Sequence, residues 1–513
     1  TSAPQQQRAL TFADLMRFRQ LRSPVISDDG AWVAYAATPD RGDGVAVVRS
    51  ARDTTRYVVE RGSSPVLTGN GAYAAVKVEP SFAEQEAARA KKLTGDKAPK
   101  PGMVLLATAT GEQLAVERVQ RFAFSADGRW LAYHLFAEPA QPDTARAAEG
   151  GGAAAPDGPA RNGAGRQEAK AEKPGKRKAG TPLILRELAT GREIRLPHVR
   201  SFAFDEEGRW LAYAVADPAA ADSARDGLYL RDLRAGAERE RAVDVRPRGH
   251  YGAMTWSEAG GRLAFTVATE DADGKPGDAA LFIWDGRQAR EHVAAGAAPR
   301  LAGEASARVI PANTRLEWSE DGERLFFGTR PAPPAAKEEA RTARAAYAAG
   351  AGGAVASDSV VDLYDAEAIL AERAVDVWHW LDRSIQTEQK QSWQRLQERM
   401  DAAVLHLRDG RTVQLEGGDV RLVGRPRNGR RALARDVGPY RRSSTWAGSR
   451  YDAVLVDLRD GTRRLVAKSL RDRAALSPGG RFVAWFEDGH WQLFDAERGT
   501  SRVLTEGLGV VFV

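Results

Sequence analysis

The sequence predicts an all-β protein assembled from one four-stranded antiparallel unit repeated along the chain. The first observation behind this is a motif, FAFSADGRWLAY at Phe122–Tyr133, in which apolar residues flank a polar turn closed by glycine. It recurs with one length and one glycine position. The copies are FAFDEEGRWLAY (Phe202–Tyr213), PVISDDGAWVAY (Pro24–Tyr35), MTWSEAGGRLAF (Met254–Phe265), LEWSEDGERLFF (Leu316–Phe327) and AALSPGGRFVAW (Ala474–Trp485). PVLTGNGAYAAV (Pro65–Val76) is looser, and VGRPRNGRRALA (Val423–Ala434) is the weakest, recognisable mainly by Gly429. The second observation is another strand, polar turn and strand after most copies, at Leu183–Leu196, Leu228–Arg241, Ala453–Val466, Trp491–Thr505, Met103–Val116 and Val404–Leu415. The third is that both faces of the unit are apolar.

Within the motif, Asp or Asn and Gly tolerate the positive φ that a tight hairpin needs. After the turn in Phe122–Tyr133, Trp130 and Ala132 point to one face, Leu131 and Tyr133 to the other. A sheet apolar on both faces must be covered on both, and no helical pattern alternates with the strands to do it. Other sheets must cover it. Radially packed four-stranded blades meet that demand, so the expected fold is a β-propeller of seven or eight blades.

Taken in order, residues 1–22 read as a lead-in. Leu10–Leu21, with Thr11 as N-cap and Phe12, Leu15, Met16 and Phe18 on one face, forms a short helix there. The propeller is expected over 23–513. Its motif glycines, Gly30, Gly71, Gly128, Gly208, Gly260, Gly322, Gly429 and Gly480, are unevenly spaced, whereas a bare blade needs about 40 to 45 residues. Insertions fill the long gaps. Phe82–Lys92 reads as a short helix, ended by Gly95, Pro99 and Pro101. Segments 138–180 and 331–357 are rich in Ala, Gly and Pro with scattered charge, a composition expected to stay disordered, with Lys337–Ala349 locally helical. Segment 362–400 is expected to add a strand at Val375–Trp380 and a helix over Ile385–Met400. The chain stops at GLGVVFV directly after a repeat, so closure of the ring within 1–513 is left open.

With 513 residues, 43% hydrophobic and 28% charged, the composition is that of a globular chain, and no apolar run approaches a membrane span. Lys and Arg outnumber Asp and Glu by 75 to 69, an excess of +6 that is too small to point to nucleic acid. Part of it sits in Arg161–Lys178, read as a solvated loop. Without cysteine there is no disulfide, thiolate nucleophile or Cys-ligated zinc. The first residue is Thr1, and TSAPQQQ resembles what remains after a signal peptide or tag is removed. Periplasm or secretion is therefore expected, with cytoplasm equally compatible with the lack of cysteine.

The chemistry-bearing motifs are mostly missing. No serine lies in G-x-S-x-G, and neither H-E-x-x-H nor a P-loop occurs. The seven histidines are scattered singly and read as packed or surface residues. Asp271, Asp273, Gly274 and Asp278 faintly suggest a calcium loop, but Pro276 and the lack of a closing glutamate favour a hairpin tip. Glu338 and Glu339 can in principle hold a substrate amine, yet they lie in a low-complexity insert. Of the twelve tryptophans, Trp32, Trp130, Trp210, Trp256, Trp318 and Trp485 occupy the motif and read as packing, leaving Trp378, Trp380, Trp393 and Trp446 for a surface role. No catalytic, cofactor or metal residue is assigned, and no cofactor is expected.

The S-x-D-G-R-W-L-A-Y pattern resembles the blades of TolB-like and related propellers. Three further stretches resemble bacterial peptidases of the prolyl oligopeptidase family: Leu10–Thr38, Val375–Gln391 and Leu476–Thr505. That resemblance spans nearly the whole chain apart from the low-complexity inserts. It implies an N-terminal propeller joined to a C-terminal α/β-hydrolase domain bearing Ser, Asp and His, none of which has a matching position here. The implied role is to gate peptides into that hydrolase domain, in a protein that can be a homo-oligomer, with neither nucleic acid nor membrane as partner. In the dipeptidyl peptidase branch propeller glutamates hold the substrate amine, but the context of Glu338 and Glu339 does not match. The alternative is a free-standing protein-binding propeller without catalytic activity.

Overall fold

The computed structural model describes residues 11–137, 177–217, 225–302, 304, 306–332, 382, 384–426 and 429–508. Most of the two inserts, with Lys337–Ala349, Glu338, Glu339 and Val375–Trp380, lies outside them. The described chain is all-β, with four-stranded antiparallel blades following one another in sequence. It divides into two compact units, Thr1–His250 with Glu270–Lys275, and Tyr251–Thr269 with Pro276–Val513.

The first unit opens with β1–β4 (Arg19–Ile26, Trp32–Pro39, Val45–Ser50, Arg56–Glu60), followed by β5–β8 (Gly62–Leu67, Tyr73–Val78, Gly102–Ala107, Gln113–Val116). Strands β9–β15 (Val119–Phe124, Trp130–Leu135, Thr181–Glu187, Glu193–Phe204, Trp210–Val215, Gly227–Asp232, Glu240–Val245) form one seven-stranded sheet in sequence order. It is two blades joined by β12, which spans 12 residues. The start of β12 pairs with β11, its end with β13, and the register slips at the changeover between Val199 and Ser201.

In the second unit, β16–β19 (Gly249–Trp256, Leu263–Thr269, Asp278–Trp284, Ala289–Val293) join β20–β24 (Arg308–Pro311, Leu316–Trp318, Arg324–Pro331, Asp401–His406, Thr412–Gln414) through β20, which bridges β18 and β22. Two separate four-stranded sheets complete it, β25–β28 (Val420–Gly424, Arg431–Asp436, Tyr451–Asp457, Arg463–Leu470) and β29–β32 (Ala475–Leu476, Phe482–Glu487, His490–Asp495, Thr500–Val503).

The motif turn explains its own sequence. Gly128 sits at φ +66°, where only glycine is unstrained, and its N–H donates to Ser125 O at 2.9 Å. The Ser125 hydroxyl donates to Asp127 Oδ1 at 2.6 Å while its oxygen accepts the Trp130 N–H at 3.0 Å, and the Arg129 N–H donates to Asp127 at 3.1 Å. The backbone N–H groups of the turn thereby find partners. Ser27 with Asp29 and Ser319 with Asp321 repeat the arrangement, and Thr68 with Asn70 approximates it. In the Phe202–Tyr213 copy Asp205 replaces serine, one carboxylate oxygen accepting from both Arg209 N (2.7 Å) and Trp210 N (2.8 Å). Gly429 departs from the set, since it is not among the glycines with positive φ.

Both faces of each blade are used, as the alternation predicts. Leu131 and Tyr133 pack with Ala75, Met103 and Leu105 of the preceding sheet, while Trp130 and Ala132 pack with Phe202, Leu211 and Tyr213 of the next. In the second unit Leu325 and Phe327 face Leu281 and Ile283, and Phe326 and Val404 face Ala432 and Val454.

Two expectations need correction. The lead-in helix α1 covers only Phe12–Arg17, because β1 starts at Arg19, inside the expected lead-in, and pairs Arg19 with Pro39 and Leu21 with Ala37. Arg177–Gly180, assigned to a disordered and solvated segment, is held in place, with the Gly180 N–H donating to Ala216 O at 2.9 Å. Two other helices match their sequence signals. Helix α2 (Phe82–Ala90) carries a capping box of Ser81 and Glu84, and α3 (Gln386–Glu398) lies within Ile385–Met400.

Candidate functional site

Arginine is the residue to follow, because its guanidinium stays charged and must meet a carboxylate, a carbonyl, water or a ligand. In the first unit a cluster of charges is built on two carboxylates that are sealed from solvent. Asp226, just before β14, has a side chain 0% exposed, and Glu270, just after β17, 1%. Arg177 donates to both carboxylates, and Arg200 donates to Glu270. Asp226 also accepts the backbone N–H groups of Asp217 (2.8 Å) and Arg248 (3.0 Å).

His250 Nδ1 lies 3.0 Å from Glu270 Oε1 and 2.7 Å from Arg200 Nη1. Burial holds the imidazole below its ordinary pKa, and the Arg200 charge pushes the same way against the attraction of Glu270. Burial alone would raise the Glu270 carboxyl. The hydrogen bonds from Arg200, Arg177 and His250 outweigh it and lower its pKa. Two guanidiniums face two carboxylates across a neutral imidazole, so the charges balance. The cluster spends its bonding capacity on itself and reads as structural.

Among the described residues three cavities stand out. One of about 170 Å³ in the first unit is walled by internally paired groups. There Glu240 takes Arg225 (3.4 Å), Arg231 (3.3 Å) and the Tyr213 hydroxyl, whose pKa burial and that carboxylate raise. A second, of about 480 Å³ in the second unit, lies beside Phe326, Met400, Asp401 and Glu416. Its acids are also engaged: Asp401 with Arg308 and with Arg421 (3.0 Å), and Glu416 with the N–H groups of Ala402 (2.8 Å) and Leu422 (2.6 Å). Arg425 pairs with Glu317 and stands over the Phe326 ring at 3.8 Å.

The third cavity, also about 480 Å³ and in the second unit, differs in kind. Four arginines, Arg435, Arg450, Arg471 and Arg473, line it with Tyr451, Ser449, Val423, Val437 and Ala474, and among the described residues no carboxylate does. Strand register assembles it. Arg435 near the end of β26 pairs with Ala453 of β27, and Tyr451 at the start of β27 pairs with Leu470 at the end of β28, so Arg450 and Arg471 flank neighbouring strand ends. The Tyr451 hydroxyl donates to Asp472 O at 2.7 Å and accepts the Ala474 N–H at 2.8 Å, pinning the loop that carries Arg471 and Arg473. Arg450 Nη1 is fixed by Ser469 Oγ at 2.8 Å.

None of these four arginines was singled out by sequence, since three strand ends must align before they meet. Only the alternation of Arg471, Asp472 and Arg473 hinted at two cations on one side of an extended segment. Of the residues that sequence did single out, Asp271 forms the hairpin tip expected of it, its Oδ1 accepting from Asp273 N (3.0 Å) and Lys275 N (2.8 Å). Among the described residues no group of His, Asp or Glu is arranged for a metal. Trp130, Trp256, Trp318 and Trp485 are buried, and Trp446 is 73% exposed. Trp378, Trp380, the Trp393 side chain, Glu338 and Glu339 lie outside the described residues. Arg177, expected in a solvated loop, is corrected to a member of a buried polar network, because the buried Asp226 and Glu270 need partners, while His250 is the packed residue expected of it.

No family model and no curated protein matches the chain. Among solved structures it is similar to the β-propeller domain of the Trilobed protease from Pyrococcus furiosus, at 10% identity over 89% of this chain and 100% of that one, TM-score 0.32. A eukaryotic initiation factor aligns at 10% identity over 98% of this chain and 91% of that one, TM-score 0.41. A prolyl endopeptidase aligns at 12% identity over 94% of this chain and 55% of that one, TM-score 0.35. Peptidase propellers are among its structural neighbours. The chain spans a little over half the length of that endopeptidase.

Proposed function

We propose that this chain is the propeller portion of a prolyl-oligopeptidase-family serine peptidase and gates the access of peptides to a hydrolase domain outside the chain. The observation that carries the reading is the resemblance at Leu10–Thr38, Val375–Gln391 and Leu476–Thr505. Two of these stretches build α1 with β1 and β2, and β30–β32, so they include whole elements of blades. Fluorophosphonate labelling of the full-length product is the test. A labelled serine in a G-x-S-x-G context downstream of Val513 is expected, and the absence of both sinks the reading.

A second reading, a binding propeller without catalytic activity, is favoured by the arginine-lined cavity, whose concentrated positive charge suits recognition of an anionic group. A folded, monomeric 1–513 chain that captures a protein partner supports it. Failure of that chain to fold alone counts against it.

A further inference from the structure

We propose that the cavity between the ends of β26, β27 and β28 is a binding site for an organic oxyanion, a carboxylate or phosphate carried on a small carbon framework. The inference does not rest on the peptidase reading. Elsewhere in this unit several buried or half-buried arginines meet a carboxylate, Arg308 and Arg421 meeting Asp401, Arg441 meeting Asp419 and Arg481 meeting Asp495. Arg435, Arg450, Arg471 and Arg473 form no ion pair among the described residues. Like charges brought into one concavity repel, and a bound anion is what relieves this.

Nearby carboxylates are committed elsewhere. Asp452 accepts from the Tyr440 hydroxyl (2.6 Å) and Ser469 N (2.9 Å), and Asp436 from Gly438 N (2.9 Å). Asp472 sits between two of the arginines in sequence, but its side chain does not line the cavity.

The site is positioned as well as charged. Tyr451 and Ser469 hold the Arg471–Arg473 loop and Arg450 in place, which lowers the ordering cost that flexible arginines otherwise impose on a ligand. Guanidinium forks match the paired oxygens of carboxylate and phosphate. A volume of about 480 Å³, with Val423, Val437 and Ala474 in the wall, exceeds what a bare inorganic ion fills and suits a ligand with an apolar body.

Calorimetric titration of the full 1–513 chain at low ionic strength tests this, with citrate as the carboxylate probe and fructose 1,6-bisphosphate as the phosphate probe. Saturable binding of one to one stoichiometry, weakening as salt is added, is expected from at least one of them, and the tighter probe identifies the source of the anion. The double variant Arg471→Gln/Arg473→Gln, which alters two exposed side chains, should bind roughly tenfold or more weakly with an unchanged circular-dichroism melt. Arg498→Gln, at another exposed arginine of the same unit, should bind as the parent does. No saturable binding of either probe overturns the proposal, as does an equal loss in Arg498→Gln or undiminished binding in the double variant.

Discussion

The buried cluster around Glu270 and the cavity around Arg471 use one residue type in opposite ways. In the first, Arg177 and Arg200 are consumed by two carboxylates that are buried from solvent. In the second, four guanidiniums stand around a space with no carboxylate in its wall. What separates them is the company that burial demands. A carboxylate out of water needs compensation, so arginines are drawn to Asp226 and Glu270, whereas half-exposed strand ends leave arginines available for something that arrives from solution.

The largest effect should come from breaking the closed network. Glu270→Gln leaves Arg177 and Arg200 without their shared charge partner and should cost about 3–5 kcal/mol in urea unfolding of the first unit. A loss below about 1 kcal/mol would mean the pairing is weaker than its burial implies. Next in size is the motif turn. Ser125→Ala removes the acceptor for the buried Trp130 N–H and should cost about 1–3 kcal/mol, while Asp205→Ser, which restores the pattern of the other copies, should cost much less.

Acid should loosen the closed cluster in two stages. The folded-state pKa of His250 lies below its ordinary 6.5, so the unfolded chain takes the proton first and stability falls as pH drops below 6.5. Glu270 also has a lowered value, so its contribution is fully present above 4.5 and is lost as pH falls through its folded-state pKa. Amide exchange around β14 and β16, followed between pH 7 and 4, checks both stages. The smallest stability effect belongs to the open cavity, where Arg471→Gln should change unfolding by no more than about 0.5 kcal/mol. The contrast between that figure and the Glu270→Gln loss is what the comparison stands on.

The blades were legible because their signal is local and repeated. Gly128, Asp127 and Ser125 make a hairpin with bonds that span five residues, and Leu131 beside Trp130 declares two apolar faces. The cluster was not legible, because Arg177, Arg200 and Glu270 meet only after three separate strands align, and Arg177 sits at the end of a segment whose composition says loop. The arginine cavity was hidden for the same reason: nothing in the surroundings of Arg435 announces Arg473.

Strand β12 deserves a mechanical reading. One continuous backbone closes one blade with Glu193–Leu196 and opens the next with Ser201–Phe204, changing partners at Val199, directly after His198, which adopts φ +53°. Blades joined by separate strands and a linker can fray one at a time, as repeats with only nearest-neighbour contacts do. Here, peeling β11 from β12 pulls on the same strand that β13 holds, so the two blades should open together and exchange their amides as a single cooperative block.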